Sequence, residues 1–218
     1  MKVKLVSYTT PCIEELGEDS DILDLIAFCA RVSNPSNQLN TETSDKLIKY
    51  LVKHKHWSPF EMANVCLEIE TTRDIARQIL RHRSFTFQEF SQRYADPTKD
   101  LSFVYREARL QDTKNRQNSI DVEDNQLKLE WVYQQEEVLN AAKKAYEWAI
   151  EQGIAKEVAR AVLPEGLTMS RMYVNGTLRS WLHYIEIRSD IATQKEHREI
   201  ALACAEVISK IFPLIKND

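Results

Sequence analysis

The feature that most limits the fold is the mixture of two hydrophobic periods along one chain of 218 residues. Residues 1–8 and 65–70 alternate apolar and polar side chains, which is the two-residue period of a strand. Residues 19–31 and 43–55 instead repeat apolar side chains at helical spacing. A chain of this length can bury one sizeable core. We therefore expect a single domain over residues 1–218, with an α+β fold in which helices pack on a mixed or antiparallel sheet.

Five further segments have helical spacing, namely residues 72–80, 127–152, 155–164, 178–188 and 193–215. Thr72 is expected to cap the first of them, and Gly153 lies where the long helix should end. The apolar face of that long helix is expected to consist of Trp131, Val138, Leu139, Ala142, Tyr146 and Ile150. Residues 109–125 are polar and lack a period, which predicts an exposed excursion. The segment after the turn at residues 165–166 has mixed periodicity and is assigned to no element.

Composition and charge restrict the partners. Hydrophobic residues make up 43% and charged residues 28% of the chain, as in an ordinary globular protein. The formal net charge of −4 argues against bulk attraction to nucleic acid or an anionic membrane. No apolar run is long enough for a signal peptide or a membrane span, so we expect a cytoplasmic protein. The four cysteines are scattered without CxxC pairing, which favours reduced thiols over a disulfide framework or a zinc site.

Phosphate binding, if present, must depend on side-chain cations. The chain has only four glycines, so neither a GxGxxG fingerprint nor a P-loop can be assembled. Arg73, Arg77 and Arg81 lie four residues apart on the predicted helix. This stripe is either a solvated helix face, on which Asp74 reduces the repulsion between the arginines, or an anion-binding surface. The second alternative is possible because guanidinium groups bind phosphate oxygens bidentately.

The segment after this helix adds a carboxylate, a hydroxyl and a guanidinium group. Glu89, Ser91 and Arg93 alternate with other residues, so in an extended chain all three would project from one side. Such an edge could bind hydrogen-bond donors and a phosphate together.

The combined segment resembles the signature of flavin-dependent thymidylate synthases. It has Arg81-His82-Arg83, then seven residues, then Ser91-Gln92-Arg93-Tyr94. Residues 53–61 resemble the His-x-Ser/Thr-Pro-Phe-Glu element of that family, and residues 158–164 resemble its Ala-Arg-x-x-Leu-Pro element. Residues 175–188 are similar to the helix that contacts flavin and substrate. Taken alone, His54-x-His56 could suggest a metal pair, but no further ligands have suitable spacing, so no metal site is predicted.

The resemblance implies the methylation of dUMP to dTMP. FAD reduced by NADPH would supply a hydride, and methylenetetrahydrofolate would supply the carbon. The implied assembly is a homotetramer with active sites shared at subunit junctions, and neither nucleic acid nor membrane is an implied partner. The implied dUMP-binding residues are Gln78, Arg81, Glu89, Ser91, Arg93, Arg160 and Arg188. The implied FAD-binding residues are Ser58, Arg81, His82, Arg83, Glu89, Arg179 and His183.

Arg188 is the candidate catalytic residue. Uracil C5 is a poor nucleophile until negative charge develops at N3 and O4, and a fixed guanidinium group near that edge stabilises the charge. Arginine stays protonated, so a role as a general base is not expected.

Two other classes of protein are alternatives. A cysteine-dependent thymidylate synthase would attack uracil with a thiolate, but only Cys12 follows a proline, Pro11, and it lies near the amino terminus. A nucleic-acid-binding module could use residues 81–94 as a basic, aromatic stacking platform, although the acidic overall charge argues against it.

Overall fold

The computed structural model describes residues 1–213, which form six strands and eight helices in one α+β domain. The strands are β1 (Lys2–Tyr8), β2 (Asn64–Thr72), β3 (Thr86–Glu89), β4 (Arg109–Gln111), β5 (Ser119–Asp121) and β6 (Met169–Thr177). The helices are α1 (Ile22–Ala30), α2 (Ser44–Lys53), α3 (Arg73–Ile79), α4 (Pro97–Asp100), α5 (Asn125–Glu151), α6 (Lys156–Ala159), α7 (Leu178–Arg188) and α8 (Lys195–Ser209). Within the described range, no helix is long and apolar enough to cross a membrane.

The main sheet has the order β1-β2-β6-β3, and all its neighbouring strands are antiparallel. Strands β2 and β6 pair along their full length, from Asn64 opposite Thr177 to Thr72 opposite Met169. Alternate residues of both strands are buried because helices cover one face of the sheet. The predicted α+β class, with helices on an antiparallel sheet, is confirmed.

Helices α7 and α8 form much of the cover over this face. Trp181 of α7 is 1% exposed, and its indole N–H donates to the carbonyl oxygen of Val65 in β2 at 2.9 Å. Helix α8 buries Ile200, Cys204 and Ile208 in the same core. A buried indole needs such a partner for its N–H group, so this hydrogen bond fixes α7 against the central strands.

Several predicted elements agree with the structure, and one central element was missed. Helix α7 spans the predicted residues 178–188, and Gly153, with φ of +75°, follows the end of α5 as expected. The unassigned segment contains β6, a central strand of the sheet. Its inward positions include the small residues Ser170 and Gly176, which hide the apolar alternation.

Other predictions were wrong in detail. Trp131 and Val138 are 42% and 55% exposed, so the buried face of α5 is rotated from the predicted one and includes Gln135. The excursion at 109–125 contains the hairpin β4–β5, although most of its residues are exposed as expected. Thr72 precedes α3, but its hydroxyl donates to Asp74 and does not cap the helix. The helix predicted at 193–215 ends at residue 209, and residues 214–215 lie outside the described range.

Candidate active site

Arg188 and His82 meet where the end of α7 faces the turn after α3. The Nε–H group of Arg188 donates to Nε2 of His82 at 2.9 Å. Burial, followed by the charges of Arg188, His183 and Arg81, lowers the pKa of His82 to about 4. His82 is therefore neutral at pH 7, and because Nε2 accepts, its proton lies on Nδ1. The terminal guanidinium nitrogens of Arg188 keep their N–H groups free for a ligand, since no other side-chain hydrogen bond of Arg188 occurs within residues 1–213.

Aromatic rings surround His82. Its ring centroid lies 5.0 Å from that of Tyr184 in an edge-to-face arrangement, and Phe85 packs 4.6 Å from Trp181. Phe85 lies directly over Gly176 of β6, where a Cβ atom would come within 2.6 Å of the Phe85 ring. The sheet and α7 thus fix the position of His82 through packed rings.

A cleft of about 630 Å³ opens beside α7. It is lined by Lys55, Trp57, Glu61, Ser84, Arg179, Ser180, His183 and Glu186. Arg179 forms an ion pair with Glu61 at this cleft. The volume falls within the range of small-molecule sites, roughly 300–1,000 Å³. The cleft holds two cations, Lys55 and Arg179, and two carboxylates, Glu61 and Glu186, so its charges balance, while Trp57 provides a flat apolar surface.

The polar edge predicted at Glu89, Ser91 and Arg93 does not form. Strand β3 ends at Glu89, which accepts a hydrogen bond of 2.7 Å from the Ser170 hydroxyl. The carbonyl oxygen of Ser91 then accepts from the backbone N–H groups of residues 94 and 95, which turns the chain. Arg93 consequently points to Glu157 of α6, at 3.2 Å.

The predicted arginine stripe is also divided. Helix α3 ends at Ile79, so Arg81 lies beyond the helix. Arg77 pairs with Glu165, and Arg73 lies 3.6 Å from Glu89. Within the described chain, Arg81 is exposed and has no ion pair, which leaves it available for a ligand.

His54 and His56 are not accompanied by further metal ligands in the part of the chain that the structure describes. The two ring centroids lie 6.2 Å apart, and the ring of Tyr50 packs in a tilted arrangement on that of His54, with centroids 4.3 Å apart. Residues 1–213 contain no group of three His, Cys, Asp or Glu side chains that could hold a metal ion.

Comparison with known proteins identifies the family. The family model described as Thymidylate synthase complementing protein matches residues 15–214. A protein of Paramecium bursaria Chlorella virus 1, named probable flavin-dependent thymidylate synthase, is 47% identical over 99% of this chain and 97% of its own. The flavin-dependent thymidylate synthase of Synechocystis sp. is 49% identical over 99% of this chain and 97% of its own. The chain belongs to the flavin-dependent thymidylate synthase family.

A solved structure has the same fold as this member of the flavin-dependent thymidylate synthase family. It is a UMP/dUMP methylase PolB from Streptomyces cacaoi, bound with 5-Br dUMP. The TM-score is 0.79 at 23% identity, over 98% of this chain and 92% of the other. The predicted resemblance in fold is confirmed.

The family signature residues fall into separate groups in this chain. His82 lies next to Arg188, while Arg179 and His183 line the cleft and Arg83 precedes its Ser84. Ser58 is exposed in the short 3-10 turn Ser58–Met62. Within residues 1–213, no hydrogen bond or ion pair joins Arg188 to the dUMP candidates Glu89, Ser91, Arg93 and Arg160.

Sequence reasoning missed several residues that line the cleft. The cleft also contains Lys55, Trp57 and Glu61 from the matched segment 53–61, together with Glu186 of α7. These residues could have been predicted from the sequence, because they lie in segments 53–61 and 175–188, which resemble elements of the family. Gln78 hydrogen-bonds to Gln194 and His197 beside α8, and no motif in the sequence pointed to those two partners.

Proposed function

We propose that this protein converts dUMP to dTMP, with FAD as its cofactor, methylenetetrahydrofolate as the carbon donor and NADPH as the reductant. The observation that carries the proposal is the Arg188–His82 pair, which holds a guanidinium group in one orientation at the end of α7, the helix whose His183 lines the cleft. Two full-length relatives at 47% and 49% identity are named as flavin-dependent thymidylate synthases, one of them as probable.

Arg188 is the proposed catalytic residue. Its Nε–H group is occupied by His82, so its terminal N–H groups are directed to one side. Fixed donors aimed at the pyrimidine edge stabilise the negative charge at N3 and O4 that makes C5 nucleophilic enough to attack a carbon electrophile. The low pKa of His82, about 4, keeps the imidazole a hydrogen-bond acceptor at neutral pH. His82 would therefore hold Arg188 in place without competing for a proton.

The cleft residues fit a flavin. Lys55 and the nearby Arg83 supply positive charge for a pyrophosphate, and Arg179 would do so on exchanging Glu61 for the ligand, while Trp57 and His183 supply flat surfaces for a ring system. We assign FAD contacts to Ser58, Arg81, His82, Arg83, Glu89, Arg179 and His183. When bound, the flavin supplies the redox chemistry, and these side chains orient it and exclude water.

We assign dUMP contacts to Gln78, Arg81, Glu89, Ser91, Arg93, Arg160 and Arg188, divided between subunits of a homotetramer. Arg93 pairs with Glu157 whereas Arg188 pairs with His82, and these different partners within one chain support shared sites. Helix α5 also exposes large apolar residues, with Leu129 at 65% and Tyr133 at 67%, as at a protein interface. Light scattering should give the mass of four 25.4 kDa chains, and a monomer would contradict this assembly.

Three of the four thiols are poorly suited to the cysteine-dependent alternative. Burial raises the pKa of Cys29, Cys66 and Cys204, against a smaller lowering of the Cys66 pKa by a hydrogen bond from Ser7. A nucleophilic cysteine needs a lowered pKa, because the thiolate is the reactive form. All four cysteines are free, which supports our placement of the protein in the reducing cytoplasm.

The test uses Arg188→Ala and Arg188→Lys. Removal of the charge-stabilising donor should lower kcat by about 10²–10³-fold while bound flavin, read from its absorbance spectrum, is retained. Lys retains the charge but lacks the Nε–H bond to His82, so its activity should also fall. Turnover of Arg188→Ala at the wild-type rate would remove Arg188 from the mechanism.

A further inference from the structure

His197 is fully buried in α8 and uses both ring nitrogens. Its Nδ1 lies 3.0 Å from Oε1 of Gln78, and its Nε2 lies 3.1 Å from the hydroxyl of Tyr184. His197 therefore joins a proposed dUMP contact in α3 to the aromatic residue that packs on His82.

Gln78 belongs to a series of hydrogen bonds that runs from Glu196 to Tyr184. The polar groups next to Gln78 set the direction of each bond in this series. The carboxylate of Glu196 can only accept, and it accepts from Nε2 of Gln194 at 3.0 Å. Oε1 of Gln194 consequently faces Gln78 and accepts from its Nε2 at 2.8 Å. Oε1 of Gln78 then faces His197, so Nδ1 of His197 must carry the proton and donate. The neutral ring has only Nε2 left to accept, and Tyr184 donates to it.

The hydrogen-bond series begins at an ionised carboxylate, that of Glu196. Glu196 is 5% exposed, and its two oxygens lie 2.6 Å from Arg109 and 3.2 Å from Arg106. Burial raises the pKa of Glu196, but hydrogen bonds from Arg109, its own backbone N–H and Gln194, with the charge of Arg106, bring the pKa below its usual range. The negative charge keeps Gln194, and through it Gln78, in one amide orientation.

We propose that His197 is a positioning residue. Together with Gln194 it holds the Gln78 amide so that one N–H group of Gln78 Nε2 is free to donate to dUMP. This inference rests on the proposed function, because Gln78 is taken to contact the nucleotide. Gln78 is only half-buried, so the free N–H group can reach a ligand. An amide turned by 180° would present a carbonyl oxygen, which repels a phosphate or carbonyl oxygen of the nucleotide.

Two amide substitutions separate positioning from simple packing. In His197→Asn, the side-chain amide nitrogen can occupy the place of Nδ1 and still donate to Gln78. In His197→Gln, the longer side chain reaches the place of Nε2, so contact with Tyr184 is kept and donation to Gln78 is lost. His197→Phe fills the volume and makes neither bond.

The readouts are kcat, the KM for dUMP, bound flavin and the melting temperature. Loss of the Gln78 bond should raise KM about tenfold in His197→Gln and His197→Phe, with kcat within about twofold of wild type. His197→Asn should restore KM to within about threefold of wild type. If Asn and Gln raise KM equally, or if KM follows only the melting temperature, the positioning role is wrong.

Cys204→Ala is the packing control. Cys204 is 0% exposed on the same helix and makes no hydrogen bond within residues 1–213, so its truncation should lower the melting temperature without changing KM. If the wild-type protein makes no dTMP, the proposed function fails by itself. Calorimetric binding of dUMP then tests His197 directly: weaker binding for Gln than for Asn supports positioning, and equal binding overturns it.

Discussion

Arg188 donates from its Nε–H group to Nε2 of His82 across 2.9 Å, which joins the end of α7 to the turn after α3. The two residues are 106 positions apart in the sequence. A histidine that accepts from arginine must be neutral, and the local charges and burial keep it so. The orientation of the proposed catalytic guanidinium thus depends on the protonation and shape of a second side chain.

Substitution of His82 should reduce turnover through Arg188. In His82→Phe the acceptor is lost, and we expect kcat to fall by about 10–100-fold because the guanidinium group is no longer held in one orientation. His82→Gln can place its Oε1 near the former Nε2 and should keep most of the activity. The measurement is kcat at saturating dUMP on protein with equal flavin content. Equal losses of kcat in both variants would mean that the loss does not come from the hydrogen bond between His82 and Arg188.

Stability should decrease as pH falls below about 6.5. Burial, followed by the charges of neighbouring groups, lowers the pKa of His82 to about 4 and that of His197 to about 3, from an ordinary 6.5. The unfolded chain therefore binds more protons between these values and 6.5, so the free energy of unfolding decreases as pH falls through that window. Urea denaturation at about pH 7.5 and about pH 5 measures this, and His197→Phe should show a smaller difference. Equal stability of the wild type at both values would contradict the prediction.

Gly176 should not tolerate a side chain. A Cβ atom there would come within 2.6 Å of Phe85, which is packed against Trp181 and cannot move freely. We expect Gly176→Ala to lower the free energy of unfolding by about 1–3 kcal/mol, as in other overpacked cores. Gly166→Ala is the control, because no atom lies within 4 Å of the added Cβ. Urea denaturation measures the free energy of unfolding of both variants. Similar losses would mean that the contact with Phe85 does not cause the destabilisation of Gly176→Ala.

Glu196 should contribute more to stability than an exposed glutamate with the same kind of partner. Glu196→Gln removes the carboxylate that Arg106 and Arg109 share, in a site where the arginine side chains are 15% and 14% exposed. Arg106 keeps Asp74 and Arg109 keeps Glu107 as partners, so the substitution should cost about 1–3 kcal/mol. Glu165→Gln removes the exposed partner of Arg77 and should cost less than about 1 kcal/mol. Equal costs in urea denaturation would show that the buried charges are not coupled as described.

Local patterns predicted the elements whose burial follows a regular period. Helix α7 begins and ends at the predicted residues because Leu178, Trp181 and Ile185 repeat at helical spacing and all three are buried. Strand β6 was missed because small and polar residues such as Ser170 occupy buried positions. Ser170 is accommodated there by its hydrogen bond to Glu89, 81 residues away, which no local pattern reveals.

Motifs in the sequence named candidate site residues but not their arrangement. The signature from Arg81 to Tyr94 indicated the family, yet the expected extended edge is broken after Glu89 by backbone hydrogen bonds to Ser91. Backbone turns of this kind depend on packing around the segment more than on residue type. The chain from Glu196 to Tyr184 connects three helices across long sequence separations, so it could be found only in three dimensions.

The most direct test of the central claim is dTMP formation by protein stripped of flavin. The assay contains dUMP, methylenetetrahydrofolate and NADPH, and it is run with and without added FAD. We predict product only when FAD is present. Product in the absence of any flavin, or no product from folded protein in either condition, would contradict the assignment as a flavin-dependent thymidylate synthase.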